Sequence, residues 1–148
     1  MLRLSLLRAP KSPDPEADMG KHEFKYALLP HAGSVIESDV IDEAYAFNMP
    51  LVLRATHAAP TSLNVFSTDV ANVVIETVKR AEDSDALIVR LYEAHGGRGP
   101  VALMSDLPFK KASLCNGLEE ETGKLEWKDG AVTLNVTPFQ IVTVKLER

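Results

Sequence analysis

From residue 51 to the C-terminus the chain is a succession of short runs rich in Val, Leu, Ile and Thr, each closed by residues that turn a backbone. The runs fall at 51–54, 63–67, 73–79, 86–93, 101–104, 111–118, 131–136 and 140–146. β-Branched side chains lose rotamer freedom in a helix and pack well on a pleated surface, so these runs read as strands. Residues 73–79 fit a helix by length, but Val73, Val74, Ile75, Thr77 and Val78 decide for strand. The separators include Glu82-Asp83-Ser84-Asp85, Gly96-Gly97-Arg98-Gly99-Pro100, Leu107-Pro108 and Asp129-Gly130, each built from residues that favour turns. Asp129-Gly130 is the clearest hairpin signal, flanked by Leu125-Glu126-Trp127 and Val132-Thr133-Leu134. Many short strands joined by such turns predict a β-sandwich.

The first fifty residues differ. Residues 2–8 alternate Leu2, Leu4 and Leu6 with Arg3 and Ser5, the period of a half-buried strand. Pro10, Pro13 and Pro15 then enforce an irregular loop that ends at Gly20. Phe24, Tyr26 and Leu28 alternate again, predicting a second strand that ends at Pro30. Over 35–47 the period lengthens: Val35, Ile36, Val40, Ile41, Ala44, Tyr45 and Phe47 fall on one face of an amphipathic helix. Ser34 and Glu37 have the spacing of a capping box. A strand starting at Leu2 with no partner before it implies a fragment of a longer polypeptide. Such a fragment exposes an apolar face and an open edge, which leaves self-association into a homo-oligomer open.

Composition excludes several functions without choosing one. The 148 residues carry 16 basic and 21 acidic groups, a net charge of −5. That is the wrong sign for a nucleic-acid surface. No apolar run approaches the roughly 20 residues of a membrane span. The single cysteine, Cys115, allows no internal disulfide and no multi-thiolate metal site. The balance is that of a soluble protein of a reducing compartment.

Few residues suggest chemistry. His22, His31, His57 and His95 show no i, i+4 pair and no HExxH spacing, so they read singly as surface or structural residues. Cys115 has no basic neighbour in sequence to activate it. The run Glu119-Glu120-Glu121 reads as a solvated edge, and Trp127 as a packing residue of the hairpin. The most unusual cluster is Glu93-Ala94-His95-Gly96-Gly97-Arg98-Gly99. It brings a carboxylate, an imidazole and a guanidinium together on a loop whose glycines let backbone approach a ligand closely. Glu93, His95 and Arg98 are therefore the candidates for contact with a substrate or a domain interface. The competing reading is a solvated glycine-rich turn. On its own residues the chain looks like a non-catalytic β module.

Several segments resemble a known family in matching order. Residues 4–10, 13–20 and 22–31 are similar to the C-terminal region of α-mannosidases of glycoside hydrolase family 38, in their cytosolic and bacterial branch. The stretches Val78-Lys79-Arg80-Ala81-Glu82-Asp83 and Val89-Arg90-Leu91-Tyr92-Glu93-Ala94-His95-Gly96-Gly97-Arg98-Gly99 and the ending Thr137-Pro138-Phe139-Gln140-Ile141-Val142-Thr143-Val144-Lys145-Leu146 resemble that family's last β-domain. Gln140 stands where the family commonly has Glu, and Pro100 and Ala102 also depart from its pattern.

The resemblance implies a mainly β fold: residues 1–60 as the end of a large β-supersandwich and 61–148 as a small terminal β-sandwich, with one short helix near 35–47. It implies a parent that is a retaining, metal-dependent α-mannosidase acting on terminal α-mannosides, with zinc the usual metal. Nucleophile and metal ligands belong in that family to an N-terminal domain with no counterpart here. No catalytic residue and no metal ligand is therefore carried over, and no cofactor is expected in this chain. The expectation is a cytoplasmic, non-catalytic scaffold and domain interface whose partner is the catalytic domain of the same polypeptide. It meets mannoside only through that parent, and it binds no nucleic acid or membrane. The alternatives are a stand-alone carbohydrate-binding sandwich and a purely structural interaction module.

Overall fold

The computed structural model describes residues 3–55, 57 and 61–148. The chain divides into two compact units, Met1–Pro30 and His31–Arg148. The boundary expected at 60/61 falls beside residues 58–60, which lie outside the described residues.

In the first unit, the described residues form turns and extended segments without a ladder. The Asp14 carboxylate accepts from the Glu16 N–H at 2.9 Å, and Ala17 and Met19 donate back to Asp14 and Glu16. His22 hydrogen-bonds the Asp18 carbonyl at 2.7 Å and stacks on Phe24. The strands expected at 2–8 and 22–29 are not formed, Leu2 itself lying outside the described residues. Alternation supplies a face, but a strand also needs a neighbour for its N–H and C=O groups. Leu4, Leu6, Tyr26 and Leu28 are accordingly exposed.

Ser34 caps the first element of the second unit. Its hydroxyl accepts from the Glu37 N–H, and the Glu37 carboxylate accepts from the Ser34 N–H. The box caps only a 3-10 turn, Val35–Glu37. The Ser38 hydroxyl donates to the Val35 carbonyl at 2.8 Å, and Ser38 is extended. This local bond competes with the helical ladder and splits the expected helix, so that α1 runs Val40–Asn48. Val40, Ile41 and Tyr45 are half-buried, and the Tyr45 hydroxyl donates to that of Tyr92 at 3.3 Å. The strand expected at 51–54 is absent, with Leu51 93% and Leu53 90% exposed.

Among the described residues eight strands follow: β1 (Ser67–Thr68), β2 (Val73–Arg80), β3 (Leu87–Glu93), β4 (Gly99–Met104), β5 (Lys111–Cys115), β6 (Glu121–Leu125), β7 (Ala131–Val136) and β8 (Ile141–Glu147). They form two antiparallel sheets, β1-β4-β7 and β2-β3-β8-β5-β6. Strict alternation drives the packing. Val142, Val144 and Leu146 of β8 join Val89 and Leu91 of β3 in the core, while Val101 and Leu103 of β4 join Val132, Leu134 and Val136 of β7. Phe109 closes one end, with Phe66 stacked on it and Trp127 edge-on at 5.3 Å.

Two sequence expectations are corrected here. Asp129 and Gly130 do form a tight turn with φ of 50° and 81°, but only the Lys128–Ala131 bridge closes it. Its flanks pair elsewhere, β6 with β5 and β7 with β4, so the turn carries the chain from one sheet to the other. Strand β6 went unread because Glu121, Thr122, Gly123 and Lys124 are all exposed on an edge. Such a strand is specified by its partner's backbone rather than by its own apolar pattern.

Leu103 is fully buried between the sheets. Leu103→Ala is expected to cost about 2–5 kcal/mol, the transfer energy plus that of the cavity left behind. Urea unfolding followed by Trp127 fluorescence measures it.

Candidate functional site

Strand β3 delivers Glu93 to one end of the sandwich with its carboxylate facing inward. The Glu93 N–H donates to the Gln140 carbonyl and the Ala94 N–H to the Asn72 carbonyl, so the turns before β2 and β8 are both at hand. Oε1 of Glu93 accepts from the N–H groups of His95 (3.0 Å) and Gly97 (2.9 Å) and from Nδ2 of Asn72 (2.9 Å). Oε2 accepts from the N–H groups of Gly96 (2.8 Å) and Phe139 (2.9 Å). Three successive backbone N–H groups thus wrap one carboxylate, an anion nest whose anion is part of the chain itself. Burial pushes the Glu93 pKa up, but the donors from Phe139, Asn72, Gly97 and His95 more than reverse this and hold it at about 2.

The glycines serve this geometry. Gly96 has φ of 77°, and a Cβ on Gly97 would stand 2.9 Å from Nδ2 of Asn72 and 3.3 Å from the Glu93 carboxylate. Glu93 is therefore not part of a surface triad. Glu93, expected among the contacts with a substrate or interface, is fully buried with its oxygens taken by its own chain. His95 and Arg98 are exposed, held outward on the backbone that Glu93 fixes. Sequence reasoning missed Asn72 and Phe139. The Thr137-Pro138-Phe139-Gln140 turn was the available signal: its Gln140 side chain accepts from both the N–H and the hydroxyl of Thr137.

Beside the loop lies a groove of about 550 Å³ lined by Glu76, Arg90, Tyr92, Phe139, Ile141 and Thr143, among others. Arg90 Nη2 donates to the Gly117 carbonyl at 3.0 Å and lies 3.7 Å from the Glu119 carboxylate. Glu119, expected on a solvated edge, is buried. It accepts from Lys79 Nζ at 2.8 Å and the Glu82 N–H at 2.9 Å, and the Lys79 bond leads in lowering its pKa. Cys115 is buried, and burial raises its thiol pKa, so it is no nucleophile. Trp127 packs against the core rather than forming a platform. His22, His31 and His57 are exposed. Among the described residues no group of three or more His, Cys, Asp or Glu could hold a metal ion, and no helix is long and apolar enough to cross a membrane.

Two antiparallel sheets packed on one core, with a glycine loop nested on a carboxylate at one end, define a β-sandwich domain. Residues 72–144 match the model of the glycosyl hydrolases family 38 C-terminal beta sandwich domain. Alpha-mannosidase 2C1 of Mus musculus and that of Homo sapiens are each 47% identical over 153 residues, covering 99% of this chain and 15% of theirs. Alpha-mannosidase G of Dictyostelium discoideum is 37% identical over 150 residues, 96% of this chain and 14% of that protein. Residues 72–144 belong to the glycosyl hydrolase family 38 C-terminal β-sandwich family, and the chain spans about 15% of the length of the first two of these relatives.

Glu93→Gln keeps the shape but turns an amide NH₂ toward existing donors, and is expected to cost roughly 3 kcal/mol. The pH dependence follows from a folded pKa of about 2 against an ordinary 4.5. The carboxylate's stabilisation is complete above pH 4.5 and is lost as pH falls from there toward 2. Wild-type stability should drop across that window more steeply than that of Glu93→Gln, as read by thermal unfolding at stepped pH.

Proposed function

We propose that this chain is the non-catalytic C-terminal part of a retaining α-mannosidase that hydrolyses terminal α-mannosides in the cytoplasm. Its work there is scaffolding and interface. The observation that carries this reading is similarity along 99% of the chain to a small share of two α-mannosidases. Residues 61–148 act as the terminal sandwich. Residues 1–60 act as the end of a larger β-domain, a role supported by the exposed apolar residues at Leu4, Leu28, Leu51 and Leu53, which await neighbours.

On this reading the divalent metal of the parent, zinc by resemblance, belongs to its catalytic domain. In this chain the chemistry is positional. Glu93 fixes the backbone from His95 to Gly97. That presents the imidazole of His95 and the forked guanidinium of Arg98 to the catalytic domain or to the sugar it holds.

Two measurements test this. The chain alone, given an aryl α-mannoside with added zinc or cobalt, is expected to show background rates; turnover abolished by a point mutation in it would overturn the reading. In the parent-length enzyme, His95→Ala and Arg98→Ala are expected to lower kcat/KM by roughly 10- to 100-fold, as when a charge-assisted hydrogen bond worth about 1.5–3 kcal/mol is lost. Thermal stability should stay within about 1 kcal/mol of wild type, since both side chains are exposed. Unchanged kinetics in both variants would leave the loop without a role at the site.

A further inference from the structure

The turn between β5 and β6 carries an arrangement that scaffolding does not use. The chain has five asparagines. Asn48, Asn64, Asn72 and Asn135 are followed by Met49, Val65, Val73 and Val136, whose side chains crowd the peptide nitrogen they share with the asparagine. Asn116 alone is followed by glycine. Gly117 is exposed, and a Cβ there would meet no atom within 4 Å. Its N–H donates no hydrogen bond among the described residues.

The groups around Asn116 favour attack by that nitrogen. Oδ1 of Asn116 accepts from the N–H groups of Leu118 (2.9 Å) and Glu120 (3.0 Å). Both donors lie after Asn116, so the side chain is drawn forward along the chain, and both would stabilise negative charge developing on that oxygen. The main-chain carbonyl of Asn116 accepts from the Glu119 N–H at 3.1 Å. That bond draws electron density from the peptide group that holds the Gly117 N–H and makes it a better acid. Nδ2 of Asn116 donates to the Glu120 carboxylate at 2.7 Å. The other charges at the turn are Arg90, whose Nη2 donates to the Gly117 carbonyl at 3.0 Å, and Glu119, which Lys79 pairs at 2.8 Å. The Arg90 cation favours a deprotonated nitrogen beside it.

We propose that Asn116-Gly117 is a site of spontaneous deamidation in the folded chain. The deprotonated Gly117 nitrogen attacks Cγ of Asn116. The N–Cγ bond forms, the Cγ–Nδ2 bond breaks, and Nδ2 takes back a proton from water and leaves as ammonia. One water then opens the cyclic imide at either carbonyl, giving aspartate or isoaspartate at 116. Either product sets a carboxylate against that of Glu120, where an amide now donates. Isoaspartate also lengthens the backbone of the turn by one methylene. The turn holds Arg90 through the Gly117 carbonyl and Lys79 through Glu119, so the reaction loosens a cover of the outer face of the five-stranded sheet. None of this depends on the scaffold role.

The test incubates the whole folded chain at stepped neutral to alkaline pH. Peptide mass spectrometry locates the change, and an isoaspartyl methyltransferase reads isoaspartate. Aspartate and isoaspartate are expected at 116 and at no other asparagine, with a rate that rises about tenfold per pH unit, as the deprotonated fraction of a very weak acid does. Gly117 is not left-handed and has open space for a side chain, so Gly117→Ala keeps the fold. It should slow the reaction at least about 10-fold by hindering the nitrogen and stiffening the backbone. Asn116→Asp, which reproduces the added charge, should lower Tm by about 2–5 °C. The proposal is overturned if residue 116 stays intact, if it reacts only in urea, or if other asparagines react as fast. Aspartate without isoaspartate, the mark of direct hydrolysis, or a Gly117→Ala rate equal to wild type overturns the attack by Gly117. An Asn116→Asp chain as stable as wild type overturns the loosening.

Discussion

Taking a carboxylate out of water is costly unless its oxygens find donors inside the protein. Glu93 finds them in backbone N–H groups and one amide side chain rather than in a cation. Those donors come from three separate stretches: Asn72 before β2, the segment from His95 to Gly97 after β3, and Phe139 before β8. One side chain therefore ties together the turns at one end of the sandwich. The local conformations follow from it: the left-handed backbone of Gly96 and Phe139, and the lack of room for a side chain at Gly97.

At the other polar centre the solution is different. Outward-facing Lys145 of β8 is buried and reaches the Asp83 carboxylate at 3.1 and 3.2 Å, while Lys79 and Arg90 converge on Glu119. These pairs lie on the outer face of the five-stranded sheet, where Lys145 is in register with Ile88 and Ser113. The loops around Asp83 and Glu119 cover that face and carry the counter-charges with them. Losing Asp83 would strand buried Lys145, and losing Lys79 would leave buried Glu119 without its nearest cation.

The strands that bury one face were legible in the sequence, and for a physical reason. In β7 and β8 the inward residues Val132, Leu134, Val136, Val142, Val144 and Leu146 are apolar and Thr133, Asn135, Thr143 and Lys145 between them are polar, so the period of two survives in the text of the chain; β3 and β4 were legible by their β-branched and aliphatic content. Strand β6 and the missing strands near Leu4, Leu28 and Leu51 fail in opposite ways. The first has pairing without pattern, the others pattern without pairing, and pairing is a property of the neighbour. The capping box at Ser34 was readable, but the Ser38 hydroxyl that ends its turn competes over a single residue and leaves no periodic trace. At the loop, the unusual composition singled out Glu93 as a contact residue, whereas its carboxylate is buried. Charge suggested exposure, whereas the donors that pay for its burial are backbone groups, which no side-chain pattern records.

Because the loop's conformation is dictated by Glu93, Asn72 and the glycines, the identities of His95 and Arg98 contribute little to holding it. The two kinds of position answer to different pressures. Replacements at the anchor break the architecture, whereas replacements at the two outward positions leave the same backbone displaying different chemistry. A loop organised in this way can be diversified for new contacts without being rebuilt. The same partition makes it a natural graft: the anchor residues would travel as a fixed cassette, and the two display positions would be the ones to randomise.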